Sequence, residues 1–336
     1  MQVIIIGAGI AGLACAVELA ERGAQVEVLE RARELGPHSC SWYAGGMLAP
    51  WCERADTEPL IAKLGAEALP WWRKNFSGIA AHGSLVVAHS RDAQELERFA
   101  RRTENFERLD AGGISALEPA LAGRFSKGLF FPDEAHLDPR AALQALADRM
   151  QGLGGRIRFG VEADVSSGRG EPVIDCTGLA ARQHLPELRG VKGEMLVLQS
   201  PELELRRPVR VLHPRLPVYV VPRGEGVFMV GATMIESDDA SRITARSMLE
   251  LLSAAYALHP AFGEAQIIEI GTQVRPAFAD NLPRVRRCGD RLYVNGLYRH
   301  GFLLAPALAR RVAALLLSGK RDAEVMDESP GERRSA

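Results

Sequence analysis

The spacing of apolar positions predicts a complete βαβ unit at the start of the chain. Residues 2–6 form an unbroken apolar run, which is typical of a strand buried on both faces of a parallel sheet. Residues 13–22 have helical spacing and end at Gly23, and residues 25–30 form the next strand. The connection from the first strand to the helix is Gly7-Ala8-Gly9-Ile10-Ala11-Gly12.

The rest of the chain mixes both periodicities. Further helices are predicted at residues 57–76, 92–103, 138–153, 240–258 and 305–317, with Asp138 as an N-cap and Pro139 after it. Further strands are predicted at residues 84–88, 156–161, 172–175, 192–199, 218–221, 227–231 and 291–295, with Gly224-Glu225-Gly226 as a hairpin turn. This order favours an α/β fold in which a nucleotide-binding domain, built from separated segments, contains an inserted, mostly antiparallel domain.

Composition narrows the possible partners. A length of 336 residues suggests about two domains. The net charge of −1 gives no electrostatic reason to expect nucleic acid or an anionic membrane as partner. Arg310-Arg311 interrupts the apolar stretch 302–317, which predicts a docked helix, and the first residues lack the features of a targeting signal. Five cysteines without metal-ligand spacing predict a reduced, cytoplasmic protein with no metal site.

The glycine-rich connection has the spacing and the context of a dinucleotide fingerprint. Gly7 would permit the tight turn, Gly9 would let the backbone approach a pyrophosphate, and Gly12 would let helix and strand pack closely. The helix N-terminus would attract the phosphates, and Glu30 would bind ribose hydroxyls and repel a 2′-phosphate. The pattern therefore predicts a dinucleotide other than NADP, and it does not distinguish NAD from FAD.

Several later segments resemble one family. The chain is similar, over nearly its whole length, to the D-amino-acid oxidase-like group of FAD-dependent oxidoreductases, and within it to the glycine oxidases of thiamin biosynthesis. The segments that carry the resemblance, in the family's order, are Ser41-Trp42-Tyr43-Ala44-Gly45-Gly46-Met47-Leu48-Ala49-Pro50, Tyr219-Val220-Val221-Pro222-Arg223, Val230-Gly231-Ala232-Thr233, Val274-Arg275-Pro276 and Leu297-Tyr298-Arg299-His300-Gly301-Phe302-Leu303-Leu304-Ala305-Pro306.

The resemblance implies non-covalent FAD, since the C-terminal loop lacks the cysteine to which sarcosine oxidases attach their flavin. It implies a Rossmann-like FAD domain of the glutathione-reductase type, formed by residues 1–82, 133–185 and 268–326. Residues 83–132 and 186–267 would form an α+β substrate domain, and residues 327–336 a loose tail. The implied cofactor-binding residues are Gly7, Gly9, Ile10, Ala11, Gly12, Glu30, Arg31, Ala44, Gly45, Gly46, Met47, Val161, Thr177, Gly178, Arg275, Arg299, His300, Gly301, Phe302, Leu303 and Leu304.

For four of the matched residues, the resemblance implies a place in the active site. Arg275 matches the arginine that binds the substrate carboxylate, and Tyr219 matches the tyrosine that supports it. Met47 would face the cavity or only pack against it. Arg299 would contact flavin or substrate, or form a structural ion pair. The matched segments contain no obvious side-chain base, as expected for a family in which a hydride passes from Cα to flavin N5.

The implied reaction is oxidative deamination of glycine and other small amines. Dioxygen would yield hydrogen peroxide, and the imine would be hydrolysed to glyoxylate or taken by a thiazole synthase. Alternatives are an oxidase or quinone-linked dehydrogenase acting on sarcosine, D-amino acids or proline, and a flavoprotein partner without turnover. Members of the family often form dimers or tetramers.

Overall fold

The computed structural model describes residues 1–163, 170–213 and 217–328. Its strands are β1 (Gln2–Ile6), β2 (Gln25–Glu30), β3 (Met47–Leu48), β4 (Ile79–Ala80), β5 (Ser84–Ala88), β6 (Glu107–Asp110), β7 (Lys127–Phe131), β8 (Ala135–Leu137), β9 (Arg156–Phe159), β10 (Val173–Asp175), β11 (Arg189–Gln199), β12 (Val209–Leu212), β13 (Val218–Pro222), β14 (Val227–Gly231), β15 (Ile235–Glu236), β16 (Gln266–Ala277), β17 (Arg284–Cys288), β18 (Arg291–Asn295) and β19 (Met326–Glu328).

Helices connect these strands. The α-helices are α1 (Ile10–Glu21), α2 (Pro50–Arg54), α3 (Pro59–Gly65), α4 (Ala68–Asn75), α5 (Ala93–Ala100), α6 (Ala111–Leu117), α7 (Pro139–Gly152), α8 (Ala245–Leu258) and α9 (Gly301–Ser318). Short 3-10 helices occur at Cys40–Tyr43, Ser90–Asp92, Pro119–Leu121, Gly178–Gln183 and Pro260–Gly263.

The first sheet is the predicted nucleotide-binding sheet. Among the described residues its strand order is β19-β17-β18-β10-β1-β2-β9, and β1 pairs in parallel with both β2 and β10. The strand β1 is apolar because it is covered on both sides. Helices α1, α7 and α9 pack together in the main apolar core. The predicted Rossmann-like α/β fold is confirmed.

The second sheet is mostly antiparallel, as predicted. Its order in the described chain is β15-β11-β14-β13-β12-β5-β7-β6, with β16 paired to β11. The predicted hairpin joins β13 to β14, and its turn residues Gly224, Glu225 and Gly226 all have positive φ. Helix α8 covers one face of this sheet in a second core. A small third sheet has the order β3-β8-β4.

Two of the predicted domain boundaries need correction. The boundary at residue 268 falls inside β16, which pairs with β11 from one end to the other, so residues 268–277 join the antiparallel sheet. The tail is not loose from residue 327, because β19 pairs with β17 and the Asp327 carboxylate binds the Arg286 guanidinium through two bonds of 2.7 Å. Residues 329–336 of the predicted tail lie outside the described residues.

Several predicted helices have different bounds in the structure. Residues 57–76 contain two helices, because Pro70 lacks the N–H that would bond to residue 66 and continue the turn. The helix predicted from residue 240 begins at Ala245, where the Thr244 hydroxyl accepts a hydrogen bond from the Ser247 N–H. The helix predicted at 92–103 spans Ala93–Ala100.

The last helix begins four residues before its predicted start at Ala305. Pro306 cannot donate to the carbonyl of Phe302, and the indole Nε1 of Trp72 donates to that oxygen instead, at 2.8 Å. Helix α9 has the length and apolar composition of a membrane span, but over half of it is buried inside the protein. It is a core helix, as the interrupting arginines predicted.

Candidate active site

A cavity of about 640 Å³ lies where the carboxyl ends of β1, β2, β10 and β18 face the antiparallel sheet. This is the edge at which open α/β sheets bind their ligands. Two of the predicted site residues do not line it, namely Gly12 and Leu304. The predicted residues that line it are Gly7, Gly9, Ile10, Ala11, Glu30, Arg31, Ala44, Gly45, Gly46, Met47, Val161, Thr177, Gly178, Tyr219, Arg275, Arg299, His300, Gly301, Phe302 and Leu303.

The two residues outside the wall support it from behind. A Cβ at Gly12 would overlap the carbonyl oxygen of Gly7, so this glycine allows α1 to pack against the end of β1. Leu304 is fully buried in the main core and donates its N–H to the His300 carbonyl. Both residues shape the cavity through packing rather than through direct contact with its contents.

One end of the cavity is built from the glycine-rich turn and Glu30. Helix α1 begins here, so the N–H groups of Ala11 and Gly12 have no acceptor within the helix. The Ile10 N–H donates to the Ser41 hydroxyl at 3.1 Å. The Glu30 carboxylate accepts hydrogen bonds from the Ala8 N–H at 2.8 Å and the Ala32 N–H at 2.9 Å. These contacts fix the carboxylate at the end of β2 while leaving it in the cavity wall.

Two further predicted residues complete this end. The Val161 N–H donates to the backbone carbonyl of Glu30 at 3.0 Å, which holds Val161 beside the second strand. The Thr177 hydroxyl donates to the Asp175 carboxylate at 2.7 Å, and the Asn295 amide donates to the Gly178 carbonyl at 2.8 Å. The ends of β10 and β18 are therefore fixed to one another at the cavity wall.

The middle of the cavity is lined by the segment Ala44–Met47. The buried guanidinium of Arg223 holds this backbone by donating to the carbonyls of Ala44 at 3.0 Å and Gly45 at 2.9 Å, and to that of Leu137 at 2.6 Å. Gly46 has φ of 71°, and a Cβ there would overlap the Leu137 carbonyl. Arg223 and Gly46 together keep a bare peptide surface facing the cavity, while the Met47 side chain packs partly buried against Tyr219 and Val221.

Arg275 on β16 lines the cavity from the side of the antiparallel sheet. Its guanidinium donates to the Thr233 carbonyl at 3.2 Å, and it forms no ion pair with a carboxylate among the described residues. Burial lowers the pKa of Arg275, and the nearby charge of Arg299 lowers it further. A guanidinium held here without an anionic partner is suited to bind the carboxylate of a ligand.

Arg299 and Tyr219 meet at a carboxylate that the sequence did not single out, Glu53 on α2. The Arg299 Nη2 lies 2.7 Å from Glu53 Oε2, and the Tyr219 hydroxyl donates to Glu53 Oε1. Burial alone would raise the pKa of Glu53, but Arg299, His300 and Arg210 outweigh it and lower the pKa to about 2. Glu53 is therefore ionised at neutral pH, and Arg299 is its partner in an ion pair.

His300 ends the loop that carries Arg299 into helix α9. Its Nδ1 lies 3.7 Å from Glu53 Oε2, and burial lowers the pKa of His300 to about 4, against the opposing effect of Glu53. The imidazole is therefore neutral at pH 7. The next residues, Gly301, Phe302 and Leu303, place the N-terminus of the long helix α9 at the cavity wall, where its free N–H groups favour negative charge.

Sequence reasoning missed Glu53, Arg210 and the role of Arg223. Arg210 is almost fully buried, forms an ion pair with Asp56, and places its guanidinium 5.0 Å from the centre of the Tyr219 ring. For two of the three, the matched segments could have pointed to them. Glu53 lies six residues after Met47, and Arg223 is the last residue of a segment that already resembled the family. Arg210 lies on an unpredicted strand, so no pattern pointed to it.

A second buried carboxylate near the site, Glu134, gives a prediction. Its Oε1 accepts from the backbone N–H groups of Trp51 at 3.0 Å and Cys52 at 2.7 Å. Burial raises the pKa of Glu134 from its ordinary 4.5 to about 8, in spite of these hydrogen bonds. The folded protein therefore holds this proton more tightly than the unfolded chain does, and stability is lost as pH rises from 4.5 towards 8.

Glu134→Gln cannot ionise and keeps an acceptor oxygen. We expect the Tm of the variant minus that of the wild type to be clearly larger at pH 8 than at pH 5, measured by thermal unfolding. Glu104→Gln, at an exposed glutamate, should give the same Tm difference from the wild type at both pH values. A Glu134→Gln difference that does not change with pH would contradict the assignment.

The cavity and its glycine-rich turn indicate a class of dinucleotide-binding proteins. Comparison with known proteins shows which family of that class the chain belongs to. The family of FAD-dependent oxidoreductases named DAO matches residues 2–315, and the chain belongs to this family. The protein is therefore an oxidoreductase with FAD as its cofactor.

Individual relatives extend the comparison. The chain is 56% identical to the putative thiamine biosynthesis oxidoreductase ThiO of Rhizobium etli, over 95% of this chain and 97% of that protein. It is 27% identical to the bifunctional protein ThiO/ThiG of a Nostoc species, over 96% of this chain but 53% of that protein. The crystal structure of glycine oxidase from Geobacillus kaustophilus has a TM-score of 0.80 at 24% identity and covers 96% of both chains.

The cavity residues fit this cofactor. The N–H group of Ala11 has no acceptor within the helix and lines the cavity, which suits a pyrophosphate, and the Glu30 carboxylate lies within the same wall, as a ribose requires. The bare peptide surface held by Arg223 suits a flat ring system. These residues would hold FAD with its ring system towards Arg275 and its adenosine towards Glu30.

Proposed function

We propose that the protein oxidises glycine and other small primary or secondary amines that carry one carboxylate. The observation that carries this proposal is Arg275, a guanidinium in the cavity wall that has no carboxylate partner in the described part of the chain. It lies on β16 of the antiparallel sheet, whereas Glu30 ends β2 of the nucleotide-binding sheet. An α-amino acid bound there through its carboxylate would have its Cα held over the middle of the cavity.

FAD supplies the two-electron oxidation of the amine to an imine, with dioxygen taking the electrons and becoming hydrogen peroxide. Arg275 would bind both oxygens of the substrate carboxylate, and this fixed orientation lowers the barrier by reducing the freedom of the bound substrate. Water then converts the imine of glycine to glyoxylate and ammonia. The N-terminus of α9 lies at the cavity wall, where it would stabilise the negative charge of the reduced flavin.

The proposed site acts without a side-chain base. Glu53 is the carboxylate nearest to the predicted substrate residues, but its two oxygens are held by Arg299 and Tyr219. With its pKa lowered to about 2, this carboxylate is a poor acceptor for a proton at neutral pH. The proton balance of the reaction therefore does not pass through Glu53.

We also propose a thiazole synthase as the acceptor of the imine. The relative named ThiO/ThiG joins a segment similar to this chain to a second segment in one protein, which supports a partner of that kind. A cytoplasmic location is part of this proposal, since the described cysteines are free thiols. A homo-oligomer and the absence of nucleic-acid or membrane partners remain predictions from the sequence.

The experiment is anaerobic mixing of the purified yellow protein with glycine, sarcosine or D-alanine while its visible spectrum is recorded. We expect glycine or sarcosine to bleach the flavin, and admission of air to restore the colour with formation of hydrogen peroxide. Acetate is the matched control, because it offers a carboxylate without an amine and should leave the flavin oxidised. A yellow protein that none of these amines bleaches would contradict the proposal and favour another amine or a role without turnover.

A further inference from the structure

Two guanidinium groups lie side by side at the substrate end of the cavity. Arg275 donates from Nη1 to the Thr233 carbonyl at 3.2 Å, and Nη1 of Arg299 lies 3.5 Å from the sulfur of Met234. Thr233 and Met234 are consecutive, so the two guanidiniums contact neighbouring residues, Arg275 through a backbone carbonyl and Arg299 through a side-chain sulfur. Both also line the cavity.

The two guanidiniums differ in what they bind. Arg299 forms an ion pair of 2.7 Å with Glu53, and the other oxygen of Glu53 accepts the hydroxyl proton of Tyr219. Among the described residues, the Arg275 guanidinium donates a hydrogen bond only to the neutral carbonyl of Thr233. Tyr219 therefore donates its hydroxyl proton to Glu53, and that proton is not available to a substrate carboxylate.

Arg275 is the guanidinium of this part of the cavity wall that has no carboxylate partner among the described residues. Glu53 pairs with Arg299, and Asp56 pairs with the nearby buried Arg210 and with Arg102, which lies outside the wall. Both Glu53 and Arg299 are largely buried, with 8% and 17% of their side chains exposed, so water screens their interaction weakly. Arg275 remains as the cation that a ligand can neutralise.

We propose that Glu53 determines specificity by occupying Arg299, so that the site accepts amines with one carboxylate and discriminates against amines with two. This inference rests on the proposed function, in which Arg275 binds the substrate carboxylate. Without the charge of Glu53, Arg299 would become a second carboxylate-binding group beside Arg275. The predicted substrate class is therefore glycine and its N-alkyl derivatives, and dicarboxylic amines are excluded by charge.

The test compares ligands that differ by one carboxylate. Calorimetry on the FAD-loaded protein would give the Kd of acetate and of malonate, which requires no turnover. We expect the wild type to bind acetate more tightly than malonate. In Glu53→Gln, the affinity for malonate relative to that for acetate should increase by about tenfold or more, as one charge-assisted bidentate contact allows. The kcat/KM ratio of iminodiacetate to sarcosine should move in the same direction.

Two further variants separate this role from a structural one. The double variant Glu53→Gln/Arg299→Gln removes both charges of the ion pair. The increase in relative malonate affinity seen in Glu53→Gln should then disappear. Glu134→Gln changes another buried glutamate near α2 that lies outside the cavity wall, and it should leave the ratio unchanged. If Glu53→Gln does not fold, Glu53→Asp withdraws the carboxylate by one methylene and should give a smaller shift in the same direction.

The outcomes are distinct. An unchanged malonate-to-acetate ratio in a folded Glu53→Gln or Glu53→Asp variant overturns the inference, as does a gain that persists in the double variant. If no amine bleaches the flavin but the ratio shifts as expected, the proposed oxidation of amines fails while the role of Glu53 stands.

Discussion

Replacing Arg275 by alanine should raise KM for glycine by about two to three orders of magnitude, while FAD remains bound. The reason is that the two charge-assisted hydrogen bonds of a guanidinium–carboxylate pair together contribute about 3–4 kcal/mol. Arg275 forms no ion pair in the described chain, so its removal leaves no buried carboxylate unpaired. The measurement is steady-state peroxide production as a function of glycine concentration, with flavin occupancy determined from the visible spectrum.

Arg275→Lys should give an intermediate loss, since an ammonium retains the charge but not the planar fork. Arg108→Ala is the matched control, because Arg108 forms an exposed ion pair with Glu97 and lies outside the cavity wall. It should leave KM unchanged. If Arg275→Ala oxidised glycine with an unaltered KM, the assignment of Arg275 to the substrate carboxylate would be wrong.

Replacing Glu30 by alanine should raise the Kd for FAD by about tenfold to a hundredfold, because contacts to the ribose hydroxyls are lost. The same carboxylate also accepts the Ala8 and Ala32 N–H groups, so the alanine variant loosens the glycine-rich turn as well. Glu30→Gln retains an acceptor oxygen and should weaken FAD binding less. Equilibrium dialysis of the apoprotein with FAD gives the Kd of each variant.

Glu27→Ala serves as the control on the same strand. Glu27 is half-buried, lies 3.7 Å from Arg158 and does not line the cavity. The Kd for FAD should therefore be that of the wild type. Full flavin retention by Glu30→Ala would remove Glu30 from the cofactor site.

The sequence predicted the elements whose signals are local. The unbroken apolar run of β1, the glycine-rich turn and Glu30 lie within 30 residues, and each follows from the chemistry of one strand, one turn or one helix end. Asp138 was likewise predicted as an N-cap, and its carboxylate accepts the Arg140 and Ala141 N–H groups. Signals of this kind depend on neighbours a few residues away, so a single sequence is enough to read them.

The errors occurred where distant segments meet. The strand β16, which carries Arg275, was not predicted, because its register is set by pairing with β11 rather than by its own alternation. The early start of α9 depends on the indole of Trp72, 230 residues away from the Phe302 carbonyl that it satisfies. In both cases a partner remote in sequence supplies the hydrogen bonds that local patterns cannot reveal.

By itself, the sequence determined the α/β class, the dinucleotide end of the cavity and, through family resemblance, the flavin and the two arginines at the substrate end. Only the tertiary structure decided which of those two arginines has a carboxylate partner. Arg299 lies 246 residues from Glu53 in the chain, yet their side chains form a buried ion pair, while Arg275 has no such partner in the described residues. The physical reason is that a charge is neutralised by what folding places beside it, and residue type and spacing do not specify that neighbour.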